Sequence, residues 1–176
     1  MENNVINATV ANNSNNNGAS EAANGNVETA NSQVVKTFAL TVKRVQTIET
    51  DDSFVNVNLS FDKAIPGFIR DEEGNYVEAN VDHISFSRAS ITRQLCTLND
   101  LIATYRDASE GAFNRKQLSI ILHGAKLTIK RTLHTAGETV NEGEEPLERD
   151  KWYSEIVGVS VSKTAATLLL NALTLS

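Results

Sequence analysis

No stretch of this chain approaches the ~18 uninterrupted apolar residues that a membrane-crossing helix needs, so no transmembrane segment is predicted. Cysteine is nearly absent. Cys96 stands alone, which excludes an intramolecular disulfide and points to a reducing compartment. Lys, Arg and aromatic residues are missing altogether from residues 1–33, where Asn recurs among Ala, Ser, Gly and Thr. Such a segment cannot bury enough apolar surface to offset its ordering entropy, and it is predicted to be a disordered Asn-rich arm. It has neither a basic start nor a continuous apolar run, so it does not read as a signal peptide. A cytoplasmic location is expected, the host cytoplasm if the protein is phage-encoded. The Asn-Xaa-Ser/Thr triplets at Asn7, Asn12 and Asn58 follow from the Asn-rich composition.

What remains, residues 34–176, has the length and apolar content of one domain with a real core. A net charge of −6 argues at first against a polyanionic partner. The acids are unevenly placed, however: Glu2, Glu21 and Glu28 lie in the arm, and six more lie between Glu138 and Asp150. Outside the arm and that loop, thirteen acids face fifteen bases, so the folded body is close to neutral. Charge alone neither assigns nor excludes nucleic acid.

Catalytic signals are missing too. His83, His123, His134 and Cys96 are not at metal-ligand spacing, no Gly-rich loop precedes a helix, and no Ser or Cys sits in a nucleophile motif. Neither an enzyme, nor a metal site, nor a cofactor is expected.

Hydrophobic periodicity defines the elements. In Val34–Ile48, Phe38, Leu40 and Val42 share one face, and the pattern slips at Lys43 and Arg44 before Val45 resumes it, as in a bulged strand. Val55, Val57, Leu59 and Phe61 then alternate with polar residues, a hairpin partner for the first strand. Residues 63–80 contain Pro66, Gly67 and Gly74 and read as a long loop or mobile hairpin carrying Phe68, Arg70 and Tyr76. A third strand is predicted over Val81–Arg93, with Arg88 and Arg93 near its end. Leu98, Leu101, Ile102 and Tyr105 recur at helical spacing and predict one helix over Thr97–Ala108.

The pivotal stretch is Leu118–Val140. Leu127, Ile129 and Leu133 alternate with Lys126, Thr128, Lys130 and Thr132, while Arg131 falls on the apolar side. Gly124 just upstream suggests a bulge or sharp bend. The lysines could follow a phosphate backbone, Lys126 and Lys130 lying about 13 Å apart at ~3.3 Å per residue; an ordinary solvated sheet face explains them as well. After the acidic loop NEGEEPLERD comes a last strand beginning Trp152-Tyr153-Ser154-Glu155-Ile156-Val157. The segment from Lys163 to Leu175 suits a helix or an extension of that strand.

Strand, strand, strand, helix, strand, strand is the order of a five-stranded Greek-key barrel of the OB-fold type, mainly β, with one helix between strands three and four. Over residues 110–162, an apolar strand expected after the helix, then HGAKLTIKRTLHTAG and WYSEIVGVSV make the chain resemble the OB-fold single-stranded DNA-binding proteins of bacteria and their phages. The resemblance implies a homo-oligomer that binds single-stranded DNA with little sequence preference and protects it in replication or recombination. The chain ends LNALTLS, where the bacterial proteins carry an acidic tail with a terminal Phe that recruits partners, so that role is not carried over. With aromatics at 6%, few rings are available for stacking. The candidate phosphate contacts are Lys43, Arg44, Arg70, Arg88, Arg93, Lys126, Lys130 and Arg131, and the candidate stacking platforms are Phe68, Tyr76 and Trp152. The competing class is a phage structural or assembly protein with a disordered N-terminal arm.

Overall fold

A computed structural model describes residues 33–50, 53–108 and 111–175. Apart from Gln33, the expected Asn-rich arm lies outside the described residues. The elements are β1 (Val34–Thr50), β2 (Ser53–Arg70), β3 (Tyr76–Ser87), α1 (Arg88–Leu98), α2 (Asp100–Asp107), α3 (Arg115–Leu122), β4 (Lys126–His134), β5 (Lys151–Ser160) and α4 (Lys163–Thr174). The fold is mainly β: one antiparallel five-stranded sheet in the order β3-β2-β1-β4-β5. It is an open sheet in its hydrogen bonding, with β3 and β5 as the edge strands. Among the described residues, no helix is long and apolar enough to cross a membrane.

β1 is the central strand and divides its length between two neighbours. Val34–Thr41 pairs with β4, from Val34↔Leu133 to Thr41↔Lys126, and the chain from Val42 onward pairs with β2. The change of partner coincides with a bulge between Val42 and Arg44, at the slip in the apolar pattern. Lys43 is the extra residue. β2 is irregular as well: Ser60 pairs with His83 but Ile65 with Val81, so four residues of β2 bulge out against one of β3. Beyond this excursion β2 has lost β1 as a neighbour, and the N–H of Thr41 instead donates to the Asp62 carboxylate, at 2.8 Å.

One face of the sheet carries the core. Leu40, Val42, Val57, Leu59, Ile84, Phe86, Leu127, Ile129 and Ile156 are buried there against Ile91 and Leu95 of α1 and Leu118, Ile121 and Leu122 of α3. α3 has only eight residues, a length at which an isolated helix is marginal. Its three fully buried side chains contribute roughly 5 kcal/mol or more of gross hydrophobic stabilisation. A capping box between Asn114 and Gln117 fixes its start.

The sequence-based expectations need correcting in three places. The third strand ends at Ser87, whose hydroxyl accepts from the Ser90 N–H and starts α1, so Arg88 and Arg93 are helical. Three helices, not one, join β3 to β4: Asn99 closes α1 and caps α2, and the apolar segment expected as a strand after the helix is α3. Of the two alternatives for residues 63–80, a long loop or a mobile hairpin, the chain forms a hairpin: Ile65 to Arg70 of β2 pairs with Tyr76 to Val81 of β3, closed at Asp71, whose side chain accepts from the N–H groups of Glu73 and Asn75. Gly124 does not bulge a strand; it makes the turn from α3 into β4 at φ +72°. The segment after β5 is a helix, capped by Ser162.

Gly124 also ties that turn to the sheet, its N–H donating to Val42 O at 3.1 Å. A Cβ at this position would meet only Ser162 Cβ, at 3.8 Å, so replacement is opposed by backbone conformation and not by space. Gly124→Ala is expected to lower stability by about 1–2 kcal/mol, the cost of holding an L-residue in the left-handed region. The denaturation midpoint should fall with an unchanged slope.

Candidate nucleic-acid interface

The change of partners along β1 opens a gap on the core side of the sheet, and Arg131 fills it. By strict alternation along β4, Arg131 faces inward with Leu127 and Ile129, and its side chain is only 6% exposed. Its Nη1 donates to the carbonyl of Pro66 on β2, beyond β1, whose Lys36 is the ladder partner of Arg131. Pro66 has no N–H for a ladder, which suits a strand that has lost one neighbour. The Arg131 guanidinium lies 5.4 Å from the centre of the Trp152 ring, and Lys36 Nζ approaches that ring at 5.9 Å.

A second aromatic group sits between cations. Tyr76, the first residue of β3, has Arg149 at 3.5 Å and Arg70 at 4.8 Å from its ring centre. Arg149 belongs to the segment leading into β5, so this contact joins the two edges of the sheet. In a flat sheet four strand spacings of ~4.8 Å would hold these edges ~19 Å apart. The sheet is therefore strongly curled, and its edges face one another. At Ile156 the outer edge of β5 is covered by α1, the Ile156 N–H donating to Gln94 Oε1 at 2.7 Å. Beside Lys151–Ser154 the edges bound a cleft of about 600 Å³.

The lining of this cleft is chemically biased. Phe68, Tyr76, Phe86, Trp152 and Tyr153 bring aromatic surface, Arg131, Arg149 and Lys151 bring positive charge, and among the described residues no Asp or Glu lines it. In a chain of net charge −6 that is a local reversal of sign. Burial lowers the Arg131 guanidinium to about 10, which leaves it charged at neutral pH. The Tyr76 phenol is held below its usual value chiefly by a hydrogen bond from Arg70, with the charges of Arg70 and Arg149 acting in the same direction against a smaller effect of burial.

The candidate residues divide into two groups. Phe68, Tyr76, Arg131 and Trp152 meet at the cleft, and Arg70 joins them through Tyr76. The others are elsewhere. Lys126 and Lys130 project from the opposite, solvated face of β4, where Lys130 stands directly across from Glu155, so they share no face with Arg131. Lys43 is exposed at the β1 bulge, and Arg44 is exposed opposite Ser60. The Nε and Nη2 of Arg88 donate to the carbonyls of Phe113 and Ala112, both at 2.7 Å, which holds the connection between α2 and α3. Arg93 is exposed on α1 beside Cys96 and Thr97. Sequence reasoning missed Arg149, Lys151 and Tyr153: Arg149 lies within the acidic loop and Lys151 directly follows it, where the surrounding acids outnumber them.

No protein-family model, no curated protein and no solved structure matches the chain.

Because Tyr76 ionises more readily in the folded chain than in the unfolded one, ionisation favours the fold. That contribution is present above a pH of about 10 and falls away as pH drops through the folded value. A spectrophotometric titration of the tyrosines should show an early phase below pH 10. Arg70→Met should move that phase upward and Tyr76→Phe should remove it. A titration unchanged by Arg70→Met would contradict the contact.

Proposed function

We propose that the curled sheet is an OB-type barrel left unclosed between β3 and β5, and that the protein binds single-stranded nucleic acid, DNA in the first instance, in the cleft between these strands. The reading rests on one observation: five aromatic side chains and three cations gather in a single cleft with no carboxylate among its described lining residues, in an otherwise acidic protein. The strand order β3-β2-β1-β4-β5 is compatible with such a barrel.

A single strand offers what this lining complements. Its unpaired bases expose π-faces that stack on aromatic rings or guanidinium planes, and its phosphates seek positive charge. Lys151 and Arg149 at the cleft mouth meet phosphates, while Trp152, Phe68 and Tyr153 offer apolar surface to bases. Tyr76 plays a different part from the bare platform expected of it. With Arg149 over its ring, a base stacks on the guanidinium or displaces it. A duplex does not fit this chemistry, because its π-faces are already stacked internally.

The test is titration with oligo-dT at low salt, followed through Trp152, the only tryptophan of the chain. Binding should change its fluorescence. Lys151→Gln should weaken affinity and flatten the slope of log K against log salt by about 0.7 for the lost phosphate contact. The double change Lys126→Gln with Lys130→Gln, on the opposite face, should alter neither by comparable amounts. Absence of any binding by the folded protein would overturn the reading and favour the assembly role.

A further inference from the structure

Among the described residues, three buried side-chain polar atoms have no hydrogen-bond partner: Asn58 Oδ1, Arg131 Nε and Ser154 Oγ. All three residues line the cleft between β3 and β5. Arg131 and Ser154 are direct partners in the β4–β5 register and so share its inner face beside Trp152, while Asn58 enters from β2. Buried polar groups are paired in the great majority of proteins, so their concentration in a single cleft requires an explanation.

The chemistry of the three atoms narrows what can meet them. Arg131 Nε only donates and therefore needs an acceptor. Asn58 Oδ1 only accepts and needs a donor, and the Ser154 hydroxyl does either. A phosphate brings acceptors alone and leaves Asn58 unmet. The apolar faces of bases meet none of them. The edge of a nucleobase carries donors and acceptors together, in a flat group that suits a site floored by Trp152.

Resting on the reading of this cleft as a single-strand site, we propose that it also reads the hydrogen-bonding edges of bases through Arg131, Ser154 and Asn58, which gives the protein a base preference. Stacking and phosphate contacts hold any sequence. The buried trio discriminates, because a base that leaves these groups unpaired forfeits their hydrogen bonds.

The experiment compares affinities for oligo-dT, oligo-dC and oligo-dA of one length, using the full chain. A preference of about fivefold or more for one homopolymer is expected, the low end of what a base-edge contact contributes. Ser154→Ala, which removes one hydroxyl, and Asn58→Ala should each reduce that preference with an unchanged salt slope, since neither touches a phosphate. Loss of all homopolymer binding in the wild type would overturn the underlying single-strand reading. Equal affinities within about twofold, or a preference that survives both substitutions, would overturn only the base-reading proposal. Should Asn58→Ala fail to fold, Ser154→Ala and the wild-type melting temperature with single deoxynucleosides or inorganic phosphate decide the matter. Stabilisation by one nucleoside above the others supports the proposal, and stabilisation by phosphate alone overturns it.

Discussion

Everything distinctive in this molecule follows from the way β1 shares its hydrogen bonds. A central strand of 17 residues could hold the same two neighbours along its whole length, but this one hands over from β4 to β2 at the Lys43 bulge. β2, no longer paired to β1 after Phe61, bends outward through its own irregularity between Ser60 and Ile65. The sheet is thus two offset halves joined at one bulge, and bulges increase local twist. Curling brings the first residue of β3 within reach of Arg149 at the entry to β5.

The offset also explains why a charged residue occupies a core-facing position. Removing a guanidinium from water costs several kcal/mol unless hydrogen bonds and polarisable surface replace the lost hydration. For Arg131 the Pro66 carbonyl and the Trp152 face supply part of that replacement: Trp152 stands beside it through the β4–β5 register, and Pro66 belongs to the part of β2 that no longer pairs with β1. Structure and candidate site are coupled here. The group that bridges the two halves of the sheet is the same one that presents an unpaired Nε to the cleft.

Much of the sheet was legible because alternation is a local property. Leu127, Ile129 and Arg131 lie on one face of β4 and Lys126 and Lys130 on the other, as the sequence pattern required. The slip at Lys43 and Arg44 marked a real bulge. α1 was missed because alternation through Ile84 and Phe86 runs straight into it. Its own signals were the Ser87 cap and the helical spacing of Ile91, Leu95 and Leu98. For α3, the Asn114 and Gln117 capping box followed by Leu118, Ile121 and Leu122 was readable and outweighs the strand reading of that apolar run. The cleft was only half legible. Phe68, Tyr76, Arg131 and Trp152 stood out as residue types, but their meeting depends on the curl of the sheet, a non-local outcome. Arg149 and Lys151 were concealed by the acids around them.

The central claim is that the facing edges of β3 and β5 form the binding surface. Amide hydrogen exchange with and without oligo-dT addresses it directly, since edge strands keep outward N–H groups without ladder partners and a bound strand shields them. Slower exchange on binding is expected in Tyr76–Ser87 and in Lys151–Ser154, with little change in β4. Protection confined to the β1 bulge around Lys43 and Arg44, with β3 and β5 unaffected, would contradict the account.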